Sequence, residues 1–220
     1  MFTKILRRTG AVLLILGVAG LATIIPRHDL PELAFAPAAL FAIVAGGGLM
    51  LGGPRTALYV RTTAVFLLAA GLTPVAMAPF FQPFSLTLAE LRLYAPTFAV
   101  QAAAFALVLA VLLWLSLELG RAPVRDAIAG AGIRRWSMQI PAQAGAGVVF
   151  LCGLLFWLSL HGQSAERAEA LALRQLGPDY RYHLSWISST KIEHGTSVSG
   201  IVTAWNDKEI KTVLLHWETR

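Results

Sequence analysis

The groups able to do acid–base, nucleophilic or metal chemistry are few in this 220-residue chain, and they are scattered. His183 and His216 fall in strand-like runs near the C-terminus, with His194 in a loop between them. Two strand histidines can act as base and partner, or as two metal ligands, if the strand register puts them on one face. Sequence alone leaves that register open, and both are read as surface residues. No His-x-x-x-His, paired cysteine or carboxylate cluster of metal spacing accompanies them. Asp179, Glu193, Asp207 and Glu218 are isolated at loop or strand ends. A Gly-x-Ser-x-Gly elbow, a phosphate-binding P-loop and a dinucleotide fingerprint are all missing. The sequence therefore names no cofactor, no metal and no catalytic residue.

The elements that carry these residues are overwhelmingly apolar. Hydrophobic residues make up 56% of the chain and charged residues 14%, and the mean hydropathy is +0.65. A soluble domain carries about 25% charge, so this chain cannot clothe an ordinary soluble surface, and its apolar content excludes disorder. Five stretches approach the roughly 20 apolar residues needed to cross a bilayer: about 9–26, 33–53, 62–82, 97–119 and 143–161. The first follows Lys4, Arg7 and Arg8 and resembles a signal peptide. With no small-residue cleavage site before Pro26, it is read as a retained anchor.

Charge sets the expected threading. Residues 1–162 hold eleven basic and five acidic side chains, which accounts for the whole +6 excess. With the N-terminus in the cytoplasm, the inner segments hold Lys4, Arg7, Arg8, Arg55, Arg61, Arg121, Arg125, Arg134 and Arg135. The outer loops hold Arg27 and Arg92, each beside acids (Asp29 and Glu32; Glu90). This is a positive-inside pattern, and five spans then place the C-terminus outside, in the periplasm of a bacterium. The neutral C-terminal part offers no basic stripe, so nucleic acid is not an expected partner. The lipid bilayer is.

Within the spans, ionisable groups are nearly missing. Glu118 is read as a boundary residue that reaches the headgroups beside Arg121, and Gln101 as a bond to a neighbouring helix. A proton-coupled carrier is disfavoured, because no acid, His or Lys lies at the middle of any span. Cys152, the single cysteine, is read as a packing residue in the fifth span. The second span carries Gly46, Gly47, Gly48 and Gly52, with Gly48-x-x-x-Gly52 as a small-residue face for helix packing, and further small residues stand at Gly17, Gly20, Gly145 and Gly147. Pro74 and Pro79 should break the third span. Phe80, Phe81 and Phe84, followed by Leu88, Leu91 and Tyr94, read as an external loop in the headgroup plane. The same aromatics could floor a lipid or quinone groove. In the loop 121–142, Val124, Ala127, Ile128 and Ala131 form an amphipathic surface stretch followed by Trp136.

After Gly162 the composition changes. Ser164 can cap a helix over Ala165–Leu176, and Gly177-Pro178 should stop it. Three strand-like runs follow: 180–186, 197–205 and 210–217. By period two, Tyr180, Tyr182, Leu184 and Trp186 share a face. Residues 206–209 join the last two strands as a hairpin. Trp186, Trp205 and Trp217 are candidates for a small core or for contact with a partner, and a bare sheet edge invites strand addition.

The fold class expected is thus a membrane all-α bundle of about five transmembrane helices (1–162) bearing a small C-terminal extracytoplasmic α+β module (163–220), one helix on a three-stranded antiparallel meander. That layout is similar in arrangement to small accessory domains of membrane complexes, such as respiratory-oxidase assembly factors, and no site is carried across. The leading expectation is a non-enzymatic accessory or assembly subunit of the inner membrane whose outer module binds a protein partner. The second is lipid or quinone handling through the aromatic segment, and the third a membrane enzyme using His183 or His216.

Overall fold

The computed structural model describes residues 1–24, 36–133, 137–192 and 195–219. The sequence features at Pro26, Arg27, Asp29, Glu32, Arg134, Arg135, Trp136, Glu193, His194 and Arg220 lie outside the described residues.

The chain is mostly helical, and four helices are long and apolar enough to cross a membrane: Phe2–Ala22, Pro54–Phe81, Ala95–Glu118 and Gln139–Leu160. Their surfaces say what solvent they need. Only 6% of the most apolar window of Pro54–Phe81, and 11% of those of Ala95–Glu118 and Gln139–Leu160, is buried within the chain. Leu107, Leu117, Phe150, Leu155 and Leu158 are all more than half exposed. Water would not tolerate apolar patches of that extent, whereas hydrocarbon would, which is consistent with a membrane protein. The second of the five expected stretches is covered, among the described residues, by the shorter apolar helix Ala36–Leu51. Its 16 residues reach about 24 Å, against the roughly 30 Å of a hydrocarbon core.

Two compact units divide the chain, Met1–Leu72 with Phe105–Gly147, and Thr73–Ala104 with Val148–Arg220.

In the first unit, α1 (Phe2–Ile24) and α2 (Ala36–Leu51) run antiparallel. Their backbones nearly touch: a Cβ added to Gly10 would lie 2.6 Å from the Gly46 oxygen, and one added to Gly46 would lie 2.7 Å from the Gly10 oxygen. Such an approach exposes each backbone to dispersion contact that a larger residue would prevent. Leu6, Leu13, Ala45 and Leu49 of this pair join one buried cluster with Ala57, Val60 and Ala64 of α3 (Pro54–Phe81) and with Leu112 and Leu115 of α5 (Ala95–Glu118). The amphipathic stretch after Arg121 becomes α6 (Ala122–Gly130), with proline in its first turn, where its missing N–H costs nothing. Val124 and Ile128 of α6 enter the same cluster. Glu118 is buried and pairs with Arg121 at 2.9 Å, so it is held inside the unit where exposure at the headgroups had been expected. Arg61 donates from Nε to the Ser116 carbonyl at 3.2 Å.

The second unit begins within α3, which runs unbroken through Pro74 and Pro79 where a break was expected. A membrane helix tolerates internal proline because local adjustment and neighbouring helices re-satisfy the freed carbonyls. The segment expected as a loop after Pro83 is the helix α4 (Phe84–Leu93). Its backbone has no reason to stay open: no proline or glycine follows Pro83 until Pro96, and the Gln82 amide donates to Glu90 at 2.8 Å across its first two turns. On α7 (Gln139–Leu160), Phe156 packs on Phe81 with ring centroids 6.1 Å apart. Cys152, on the same helix, is exposed and not packed as expected.

The C-terminal part is one helix on a three-stranded antiparallel sheet, in the order β1-β2-β3. Helix α8 (Gln163–Leu176) starts at Gly162, with no side-chain cap from Ser164, and ends at Gly177, whose φ of 84° suits glycine alone. The strands are β1 (Arg181–Ile192), β2 (Gly195–Trp205) and β3 (Ile210–Thr219). Ala168 and Ala172 of α8 bury one sheet face, formed by Leu184, Val198, Val202, Leu215 and Trp217. Asn206 closes the last hairpin, its Oδ1 accepting the Lys208 and Glu209 backbone N–H groups at 2.9 Å each. Asn206→Ala should remove both bonds and cost about 1 kcal/mol, lowering the thermal midpoint of the module by several degrees. Calorimetry of the full chain in detergent would read this.

Candidate functional site

The sheet places the candidate residues by register, and one irregularity decides the outcome. Leu184 pairs with Val202, but the next pair is Trp186 with Ile201, leaving Ser185 as an extra residue. A bulge of this kind interrupts the alternation of the bulged strand. Tyr182 and Leu184 therefore face α8, whereas Trp186 faces the opposite way and Ile187 turns inward in its place. The expected shared face of Tyr180, Tyr182, Leu184 and Trp186 is corrected accordingly. The apolar Ile187 directly after Trp186 was the available sign, since strict alternation would have made it polar.

The consequence is an apolar row on the face away from α8. Trp186 pairs with Ile201, which pairs with Leu214, so the three side chains share that face. Trp186 is 41% exposed and Leu214 72%. The adjacent row is Ser188, Ser199 and His216. His216 accepts or donates at both ring nitrogens, to the Ser199 hydroxyl at 2.8 Å and to the Ser197 hydroxyl at 3.1 Å. The face is thus apolar in one row and neutral, hydrogen-bonding in the next. Among the described residues β1 and β3 each pair only with β2, so each presents an open edge there.

The other two tryptophans are buried. Trp217 is 7% exposed and packs in the core over Gly200, whose added Cβ would meet the indole at 3.3 Å. Trp205 is 4% exposed. Of the three tryptophans singled out for partner contact, only Trp186 is available on the surface.

His183 and His216 share a face but not a site. Their β2 partners, Thr203 and Ser199, are about 13 Å apart along the strand. His183 is engaged at Nε2 by the Phe81 carbonyl at 2.8 Å, which ties β1 to the end of α3. No group of three or more metal-binding side chains forms among the described residues.

The aromatic segment divides as well. Phe80 and Phe84 are 68% and 74% exposed, while Phe81 packs against α7 and carries the carbonyl bonded by His183. Gly48 and Gly52 lie at the turn from α2 to α3, where an added Cβ on either would meet Thr56. The close approach of α1 and α2 is made by Gly10, Gly17 and Gly46; of these, Gly17 and Gly46 stand among the expected small residues and Gly10 does not. Elsewhere on the sheet edge, hydrogen bonds from Lys211 and Tyr180 hold the Glu209 carboxyl below its usual range, and Glu209 raises the Lys211 ammonium in return.

No protein-family model, curated protein or solved structure matches the chain.

Proposed function

We propose that this chain is a five-span inner-membrane protein, with its N-terminus in the cytoplasm, whose C-terminal module lies on the outer side and holds a protein partner without catalysing a reaction. The exposed row of Trp186, Ile201 and Leu214, flanked by two open strand edges, carries this reading. An apolar centre with a neutral hydrogen-bonding border is the anatomy of a protein interface. A surface made for anionic lipid or nucleic acid would present Lys and Arg, and the border of the Trp186 row presents Ser197, Ser199 and His216.

Sidedness is supported by nine basic residues in the inner segments against two in the outer loops. The apolar run 33–53 is long enough to complete a fifth span. The two readings of His183 and His216 as chemical groups draw no support from their bonding, since one is occupied by a helix-end carbonyl and the other by two hydroxyls.

The full chain purified from native membranes in a mild detergent should bring down a stoichiometric protein. The double substitution Trp186→Asp, Leu214→Asp should release it. Truncating a tryptophan hot spot costs about 2 kcal/mol or more, roughly thirtyfold in affinity. A lone, monodisperse chain from native membranes, or a partner retained by the double variant, would overturn the proposal.

A further inference from the structure

A second feature of the C-terminal unit is independent of the docking face. α4 and the hairpin end of the sheet enclose a cleft of about 380 Å³. This lies at the small end of ligand sites, the size of a headgroup and not of a whole lipid. Leu88 and Arg92 line it from α4, and Asp179, Arg181, Trp205 and Asp207 from the sheet end.

Three observations bear on what would fill it. First, the charges are of both signs and are not spent on one another. Among the described residues, no ion pair within 4.0 Å joins Arg92, Arg181, Asp179 or Asp207. Arg92 on the helix and Arg181 on the strand present two guanidinium groups, the donors best suited to the oxygens of a phosphate. Asp179 and Asp207 supply two carboxylates, which suit an ammonium.

Second, Trp205 is 4% exposed and its indole Nε1 has no hydrogen-bond partner. That nitrogen is itself out of reach of solvent, so the indole lines the cleft as an apolar wall.

Third, the cleft has an apolar lip. Leu88 is 49% exposed, and Phe84 and Leu91 of the same helix are 74% and 45% exposed. α4 joins two helices that are each long and apolar enough to cross a bilayer. A short helix so placed, with bare apolar side chains, lies at the boundary between hydrocarbon and water. Acyl chains can leave the cleft along Leu88 while the head stays inside.

From these we infer that the cleft binds the headgroup of a zwitterionic phospholipid, its phosphate held by Arg92 and Arg181, and its ammonium by Asp179 and Asp207. A purely anionic lipid would satisfy the arginines and leave the carboxylates opposed to it.

The test uses the full chain in detergent, exchanged with phosphatidylethanolamine and phosphatidylglycerol of identical acyl chains and read by native mass spectrometry. Phosphatidylethanolamine should be retained at least several-fold over phosphatidylglycerol. Arg92→Gln with Arg181→Gln should weaken retention of both lipids about tenfold or more, the effect of losing a charge-assisted hydrogen bond. Asp179→Asn with Asp207→Asn should remove the preference while keeping the phosphate contact, so that phosphatidylglycerol binds as well or better. All four side chains are exposed, so both variants should fold. Equal retention of the two lipids, or an unchanged preference in the Asp179, Asp207 variant, would overturn the assignment. Displacement of the bound lipid by soluble glycerophosphoethanolamine at equal concentration would reassign the site to a water-soluble phosphate ester and would equally overturn it. Loss of the protein partner in the docking-face variant leaves these readouts unaffected, so the two proposals fail separately.

Discussion

Alanine at Gly145 should prevent accumulation of folded protein, whereas alanine at Gly147, two residues along α7, should be tolerated. A Cβ at Gly145 collides with the Phe66 carbonyl oxygen and lies 3.0 Å from the Phe66 carbonyl carbon and 3.3 Å from the Ala70 nitrogen. All three are backbone atoms of α3, so no side chain can rotate away; a helix must move. Overpacking a closed contact costs about 1–3 kcal/mol when side chains can adjust, and a backbone contact leaves less room to adjust. At Gly147 an added Cβ meets nothing within 4 Å. There the substitution should be neutral or gain about 0.5–1 kcal/mol, the helix preference of alanine over glycine. Thermal unfolding of the two variants side by side, followed by size-exclusion chromatography in detergent, would separate these outcomes. Equal behaviour would show that α3 and α7 do not meet at Phe66.

Leu184→Ala should unfold the C-terminal module, and Trp186→Ala should leave it folded. Leu184 is 1% exposed, packed in a cluster with Val202, Leu215 and Trp217. Truncating a buried leucine costs about 2–5 kcal/mol, and a module of about 60 residues without a disulfide has little more than that to lose. Trp186 is 41% exposed on the other face, where substitutions cost about 0.5 kcal/mol or less unless a partner is bound. Hydrogen exchange across residues 181–219 would show protection lost in the first variant and kept in the second. Protection lost in both variants would mean that the strand keeps strict alternation through Ser185.

Much of the module was legible because its signals are local. Gly177-Pro178 ends α8 for reasons confined to two residues, and the valine- and threonine-rich runs flanking Asn206 need only a turn to become a hairpin. The apolar helices were legible by length, though the boundaries of α3 moved because its first two turns, with Arg55 and Arg61, carry a weak hydropathy signal. What escaped was set by distant parts of the chain. The bulge at Ser185 depends on which residue of β2 each side chain of β1 finds. The Gly10–Gly46 contact joins two helices, and no motif in either one records it. The cleft between α4 and the hairpin end joins Arg92 to Arg181 and Trp205 across about 90 to 110 residues of chain. Its residues were each visible in sequence, but as an outer-loop charge, a strand residue and a core aromatic.

One inserted residue has thus done what no substitution in β1 would do. Because facing in a strand is a matter of counting, the extra Ser185 lets Leu184 and Trp186, two apart in the chain, face opposite ways; deleting it would make them consecutive, and every later side chain would keep its side. The indole therefore meets the outside world through its place opposite Ile201, and losing Ser185 should cost the local twist of the bulge and not that placement.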